Sequence, residues 1–245
     1  MAKPFLMLTS RDDEVVAADE AEALPRLAGL DAGDVVRVRM ESEPFPDVDA
    51  SEISGIIVCG SPWDAGAEES AKSTRQREVE ACIASLFDRV LTDSIPYLGI
   101  CYGLGTLNAH LGGTVDTAHG EEIGAPALHL TEAGRSDLLL AGVPGTFHGY
   151  VGHHEAVGVL APGAQLLVTS AECPVQMIRV GERAWATQFH PELDTAGIEV
   201  RIREYADRGY YEPGDRQRIW DGAHAVDVSP AHRVLRAFAR EFRRS

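Results

Sequence analysis

Residues 95 to 105 read Ile-Pro-Tyr-Leu-Gly-Ile-Cys-Tyr-Gly-Leu-Gly, and this run constrains the fold more than any other. An apolar stretch of strand length leads into Gly99-Ile100-Cys101-Tyr102-Gly103, and Thr106 to Leu111 reads as a helix stopped by Gly112-Gly113. Strand, tight turn and helix with a cysteine between two glycines is the pattern of a nucleophile elbow, with sulfur in place of a serine hydroxyl. Such a turn holds its central residue in a strained conformation, and glycines two positions to either side remove Cβ clashes that would block it. The sulfur then sits at a strand's carboxyl end, beside a helix N-terminus whose dipole favours negative charge. The expectation is a reactive thiol.

The flanking sequence places this elbow in an α/β frame. Pro4 to Leu8 reads as a strand, 13 to 29 as an acidic helix with Val16, Leu24 and Leu27 inward, and Val35 to Val38 as a second strand. Ile53 to Cys59 is a third strand, ending in Gly60-Ser61-Pro62-Trp63. The stripe Val79, Cys82, Ile83, Leu86, Phe87 and Val90 has helical spacing and predicts a helix over 73–91. The order β-α-β-β-α-β-α predicts an open, mostly parallel sheet with helices on both faces. Ligand-binding groups in such sheets collect at the strands' carboxyl ends, where Cys101 and the Gly60-Ser61 turn both fall. Beyond this point short β-rich segments appear at 126–131, 146–151, 164–170, 175–180 and 184–189, a small antiparallel portion. A helix is expected from Thr195 to Gly209, an irregular surface excursion over 210–228, and a last helix capped by Ser229-Pro230 with Val234, Leu235, Phe238 and Phe242 inward. No repeat or interdomain linker is evident, so residues 1–245 are expected to form one domain, with 196–245 as a helical C-terminal extension.

Charge and cysteine usage exclude several function classes. A net charge of −16 disfavours nucleic acid or an anionic membrane as a partner. The Arg-rich stretch Arg233 to Arg243 is read as a solvated helix face rather than a docking patch. No apolar run approaches the ~20 residues of a membrane span, and the N-terminus turns polar too soon for a signal peptide, so a cytoplasmic location is expected. Cys59, Cys82, Cys101 and Cys173 fit neither a zinc motif nor a redox pair, Cys82 is read as a core residue, and disulfides are not expected.

A cysteine nucleophile needs a base, and the base an orienting acceptor. Among nine histidines, His190 follows the strand-like Ala186-Thr187-Gln188-Phe189 and precedes Pro191-Glu192. At a strand end its ring can face the elbow, while Glu192 accepts from the other ring nitrogen and fixes the tautomer. Together Gly-Ile-Cys-Tyr-Gly, Gln-Phe-His-Pro-Glu and Cys-Gly-Ser-Pro resemble the class I glutamine amidotransferases, most closely the glutaminase domain of GMP synthetases, over about residues 45–195.

The resemblance implies a catalytic triad of Cys101, His190 and Glu192. It implies an oxyanion hole from the backbone N–H groups of Tyr102 and Ser61, with Gly60 supplying flexibility. The stretch Tyr150 to Val157 is similar to the family's Ser-His-Gly-Asp-like segment, which carries a substrate-binding role over to Gly152 and His153. One position departs from the pattern: four residues after the nucleophile the family usually has a substrate-contacting glutamine, and here stands Gly105. The implied reaction is attack of the Cys101 thiolate on the side-chain amide of glutamine, passing through a γ-glutamyl thioester to glutamate and ammonia. No organic cofactor or metal is implied.

Two alternatives stand beside this. Gly105 opens the substrate to γ-glutamyl amides or peptides, and a chain that kept the fold but little activity could serve as a partner-binding subunit. His148, His153, His154 and Glu155 lack the spacing of a zinc helix, and adjacent strand histidines point to opposite faces. Gly99, Gly103 and Gly105 do not complete a dinucleotide fingerprint, since Asn108 stands where its third glycine would fall. Full-length amidotransferases of this kind carry a fused synthetase domain, for which 196–245 is too short. A separate ammonia-accepting synthetase subunit, or an independent hydrolase, is therefore expected.

Overall fold

The computed structural model describes residues 2–244. The first half runs β1 (Phe5–Thr9), α1 (Glu14–Ala28), β2 (Val35–Arg39), β3 (Gly55–Val58), α2 (Thr74–Thr92), β4 (Tyr97–Ile100) and α3 (Tyr102–His110). The second runs β5 (Thr114–Asp116), β6 (Glu121–Gly124), β7 (Ala127–Leu130), α4 (Glu132–Arg135), β8 (Thr146–His148), β9 (Val151–His153), β10 (Ala156–Val159), β11 (Gln165–Thr169), β12 (Met177–Val180) and β13 (Ala184–Thr187). Three helices close the chain: α5 (Thr195–Glu204), α6 (Arg216–His224) and α7 (His232–Phe242).

One sheet has the order β2-β1-β3-β4-β13-β12-β11-β7-β8. Its first five strands pair in parallel and the remaining joins are antiparallel. The parallel strands read as near-continuous apolar runs because both their faces are covered. Successive residues of β1 divide between two cores: Phe5 and Met7 join Leu24 and Leu27 of α1 and Phe238 of α7, while Leu6 and Leu8 join Ile83 and Phe87 of α2. The expected α/β architecture, with helices on both faces, is therefore present. Among the described residues no helix is long and apolar enough to cross a membrane.

Five details differ from the sequence reading. The helix after the elbow begins at once at Tyr102 rather than at Thr106, since Cys101 itself is its N-cap. The segment 146–151 splits at Gly149-Tyr150, where Tyr150 leaves β8 to bridge His190. The stretch 210–228 is not irregular throughout: it contains α6, whose buried face is only Ile219 and Ala223, too narrow a stripe to stand out in sequence. Finally, α7 starts at His232 with no side-chain cap, because the Ser229 hydroxyl donates to Asp227 instead. Cys82 is half-buried at the edge of the α2 stripe rather than within the core.

Candidate active site

The carboxyl ends of β3, β4 and β13 lie side by side, and each contributes to one site. Val58 of β3 is in register with Gly99 of β4, and Ile100 with Thr187 of β13. Gly60-Ser61, Cys101 and Gln188 to His190 are consequently brought together by sheet register alone.

Cys101 has φ 52° and ψ −94°, a left-handed conformation that L-residues rarely adopt. The surroundings hold it there. Its N–H donates to Thr187 O at 2.7 Å, and its carbonyl accepts from the N–H groups of Leu104 and Gly105 at 2.9 and 3.0 Å. The Tyr97 hydroxyl donates to Gly103 O at 3.0 Å. Both flanking glycines are sterically required. A Cβ at Gly99 would lie 2.7 Å from Gly103 O, and one at Gly103 would lie 2.7 Å from Val58 O.

His190 enters from the neighbouring strand end, with its N–H donating to Tyr150 O at 2.8 Å. Its ring Nδ1 lies 2.6 Å from Glu192 Oε1, and Glu192 is fully buried. Burial works against a charged His190 ring, but the Glu192 carboxylate and the Cys101 side chain carry its pKa up to about 10. Burial likewise opposes charge on Glu192, yet His190 holds its pKa below the usual carboxylate value. The pair therefore favours an imidazolium beside a carboxylate, facing the thiol.

Gly60 and Ser61 occupy the near side. A Cβ at Gly60 would sit 3.0 Å from His190 Cε1, so glycine leaves the ring its room. The Ser61 hydroxyl accepts from Trp63 N at 3.0 Å, which fixes the turn. Tyr102, the first residue of α3, is anchored by its hydroxyl donating to Glu80 at 3.0 Å. Gly105 lies one turn further along α3 and lines the same cavity as Cys101 and Tyr102.

Gly152 and His153 reach this cavity from β9. His153 is buried, its Nδ1 2.9 Å from Glu155 O and its Nε2 3.0 Å from Glu121 Oε2. Its side chain thus ties the loop 153–155 to β6. Gln176 donates to the same Glu121 oxygen at 2.7 Å.

Three groups of residues at the site carried no assignment from sequence. Gln188 Nε2 donates toward Cys101 Sγ at 3.5 Å, and its place inside the Gln-Phe-His motif was the available signal. Arg11 and Arg201 line a cavity with Cys101 and His190, Arg11 held by buried Glu20 at 2.6 Å and Arg201 paired with Asp19. Tyr210, half-buried, lines the cavities on both sides of Cys101. Nothing local in sequence marks Arg11, Arg201 or Tyr210, because the topology brings them in from both ends of the chain.

Chemically, the arrangement offers a strained thiol, a charged histidine oriented by a buried carboxylate, and backbone donors at a helix start. That set suits acyl transfer through a covalent thioester.

Comparisons with known proteins agree with this geometry. The family model described as glutamine amidotransferase class-I matches residues 29–200. Among relatives, a GMP synthase [glutamine-hydrolyzing] from Listeria monocytogenes is 36% identical over 107 residues, covering 43% of this chain and 20% of that protein. One from Thermus thermophilus is 30% identical over 176 residues, covering 68% and 33%. The chain thus spans no more than about a third of the length of these relatives. A glutamine amidotransferase structure from Thermotoga maritima superposes with a TM-score of 0.76 at 20% identity, covering 98% of each chain. One from Methylobacillus flagellatus gives 0.72 at 17% identity, covering 100% of this chain and 97% of the other. With the family model matching well over half its length, the chain belongs to the class I glutamine amidotransferases.

Proposed function

We propose that this protein hydrolyses the side-chain amide of glutamine through a Cys101 thioester, with His190 and Glu192 completing the triad. The observation that carries the reading is Cys101 at positive φ on the end of β4, with the 2.6 Å His190–Glu192 pair on the end of the adjacent parallel strand.

The Cys101 thiolate attacks the amide carbon, and the carbonyl oxygen becomes an oxyanion facing the N–H groups of Tyr102 and Ser61. Each preorganised donor of this kind contributes about 3 kcal/mol to the transition state. His190, protonated, gives its proton to the departing nitrogen as the C–N bond breaks, and ammonia leaves. Water then attacks the thioester while His190 takes its proton; the C–S bond breaks, glutamate leaves, and the Cys101 thiolate is restored beside protonated His190. Glu192 keeps the ring oriented through both halves and stabilises it whenever it carries the proton. Gly152 and the loop held by His153 line the end of the cavity that takes the amino acid portion. The carboxylates of Asp64 and Glu155 line it too and suit an α-ammonium group. The ammonia serves a separate synthetase subunit, and the setting is cytoplasmic.

A second reading, hydrolysis of γ-glutamyl amides or peptides, is favoured by one observation. Gly105 leaves the glutamine cavity without the side chain usual in the family, next to Ala65 and Val115.

The test combines labelling with turnover. A glutamine-shaped electrophile should label the wild type at Cys101 and leave Cys101→Ala unmodified, and glutamine should yield ammonia in the wild type alone. Labelling at another cysteine, or equal ammonia release by Cys101→Ala, sinks the reading. Turnover of γ-glutamyl peptides without turnover of glutamine transfers it to the second substrate class.

A further inference from the structure

Two cavities meet at the nucleophile. One, of about 40 Å³, extends along Tyr102, Gly105 and Gly152 to Ala156. The other, of about 30 Å³, extends under His190 and is walled by Ile123, Leu193, Ile198, Arg11, Arg201 and Tyr205. Among the described residues four line both: Ser61, Cys101, Gly152 and Tyr210. Ser61, Cys101 and Gly152 are small. Tyr210 is the one bulky side chain at the junction.

Tyr210 is held there firmly. Its ring stacks on Tyr205, with centroids 5.1 Å apart and planes at 21°, and on His154, at 4.4 Å and 23°. Its carbonyl accepts from Ile123 N of β6 at 3.2 Å. The preceding Gly209 has φ +77°, which turns the chain sharply after α5 so that residue 210 faces back to the site. Arg208 fastens the same segment by bidentate contacts to Asp12 at 2.9 Å. A side chain ordered by two aromatic stacks and flanking anchors is a wall of fixed position rather than a passing surface group.

The chemistry assigns the two cavities. His190 delivers the proton to the departing nitrogen, so that nitrogen leaves on the His190 side, and the acyl portion occupies the Gly105 side. The cavity on the His190 side is bounded by Tyr210, Tyr205, Leu193 and Ile198, so a substituent carried on the departing nitrogen meets the Tyr210 ring and the apolar residues behind it, whereas ammonia carries none.

We propose that Tyr210 is a specificity-determining residue that walls the leaving-group cavity and thereby selects a primary carboxamide over N-substituted γ-glutamyl amides. This rests on the thioester reading above and deepens it, because it assigns the substrate class to glutamine despite Gly105. The aromatic ring acts here, not the hydroxyl.

The experiment compares kcat/KM for glutamine and for γ-glutamyl-p-nitroanilide in wild type, Tyr210→Phe and Tyr210→Ala. The wild type and Tyr210→Phe should share a strong preference for glutamine. Tyr210→Ala should raise the anilide-to-glutamine ratio by about tenfold or more, the scale of a lost steric wall. A general loss of folding or triad geometry lowers both substrates together and leaves the ratio unmoved. An unchanged ratio in Tyr210→Ala, or a wild type that takes the anilide as readily as glutamine, overturns the proposal. Alkylation of Cys101 by iodoacetamide and by its N-phenyl derivative reads the wall without turnover. Tyr210→Ala should accelerate the N-phenyl reagent selectively, and equal acceleration of both overturns the proposal. If neither amide is hydrolysed by wild type while the alkylation ratio responds, the glutaminase reading fails and the wall stands.

Discussion

The strain at Cys101 makes a stability prediction of unusual direction. Cys101→Ala removes the sulfur but keeps a Cβ at φ 52°, ψ −94°. Cys101→Gly removes the Cβ as well, and glycine adopts this conformation freely. Holding a non-glycine residue in such a region costs about 1–3 kcal/mol. Against that gain, glycine loosens the unfolded chain by about 0.4–1 kcal/mol relative to alanine. The balance is about 1 kcal/mol in favour of glycine, or a melting temperature ~2–4 °C higher for a chain of this size. The assay is thermal unfolding of Cys101→Gly against Cys101→Ala in the same buffer. Comparing the two variants cancels the lost sulfur contacts, including that from Gln188. The hydrogen bonds around the turn are backbone ones and survive both changes. A glycine variant that melts at or below the alanine variant would refute the claim that the elbow stores strain. It would also refute the idea that the bonds from Thr187, Leu104 and Gly105 are what hold the cysteine in place.

Three further outcomes follow from the site. Glu192→Gln replaces a buried, charge-assisted 2.6 Å bond worth about 1.5–3 kcal/mol, so kcat/KM for glutamine should fall by roughly 10–100-fold in steady-state assays with the fold retained; a loss under threefold counts against the triad. His190 has its pKa raised from 6.5 to about 10, so the stability it contributes is fully present below pH 6.5 and is lost as pH rises through about 10. Melting curves from pH 6 to 10 should therefore decline more steeply for wild type than for His190→Gln, and parallel curves would contradict the assignment. Gly105→Gln places a Cβ 3.3 Å from Ala65 Cβ and 3.7 Å from Val115, a fit needing little adjustment. One added hydrogen bond of about 0.5–1.5 kcal/mol should lower KM for glutamine by ~2–10-fold, and a raised KM would show that the cavity is filled differently.

What sequence revealed and what it hid follow a physical division. The elbow, the Gly60-Ser61 turn and the His190-Glu192 pair are local motifs, each at the end of one strand, and a parallel sheet places strand ends together by rule. The helix stripe of α2 was legible because six apolar residues repeat at helical spacing. By contrast β5 and β6 are three and four residues long, and their pairing partners β10 and β9 lie roughly forty and thirty residues on. Strands that short carry no periodicity. The buried face of α6 is two residues wide. Tyr210 follows a glycine in a segment of charged and aromatic residues that reads as exposed, and its burial comes from Tyr205 and His154, the latter 56 positions away. Sequence carries the nucleophile and its base because they are local; the walls of the cavity are tertiary.

The electrostatics around His190 and Glu192 draw on residues from both ends of the chain. Glu192 is fully buried and one of its oxygens, Oε2, has no hydrogen-bond donor. A carboxylate so placed should lose its charge to burial. It keeps it because His190 lies at 2.6 Å and because Arg201, from α5, adds a further positive charge that lowers its pKa. Arg11, at the end of β1, stands in the same cavity and is itself held charged by Glu20 against full burial. Both arginines lie outside the span 45–195 that carries the family motifs, as does Tyr210. The motif-bearing core thus carries Cys101, His190 and Glu192. The first strand's exit and α5 supply positive charge near Glu192, and the segment after α5 supplies the Tyr210 ring between the two cavities. Arg201 spends one nitrogen on Asp19 and leaves Nη2 without a partner, close enough in charge to stabilise Glu192 yet not bonded to it. Arg201 thus lowers the Glu192 pKa through space while Glu192 Oε1 stays on the His190 ring, so the carboxylate remains charged and the histidine remains oriented.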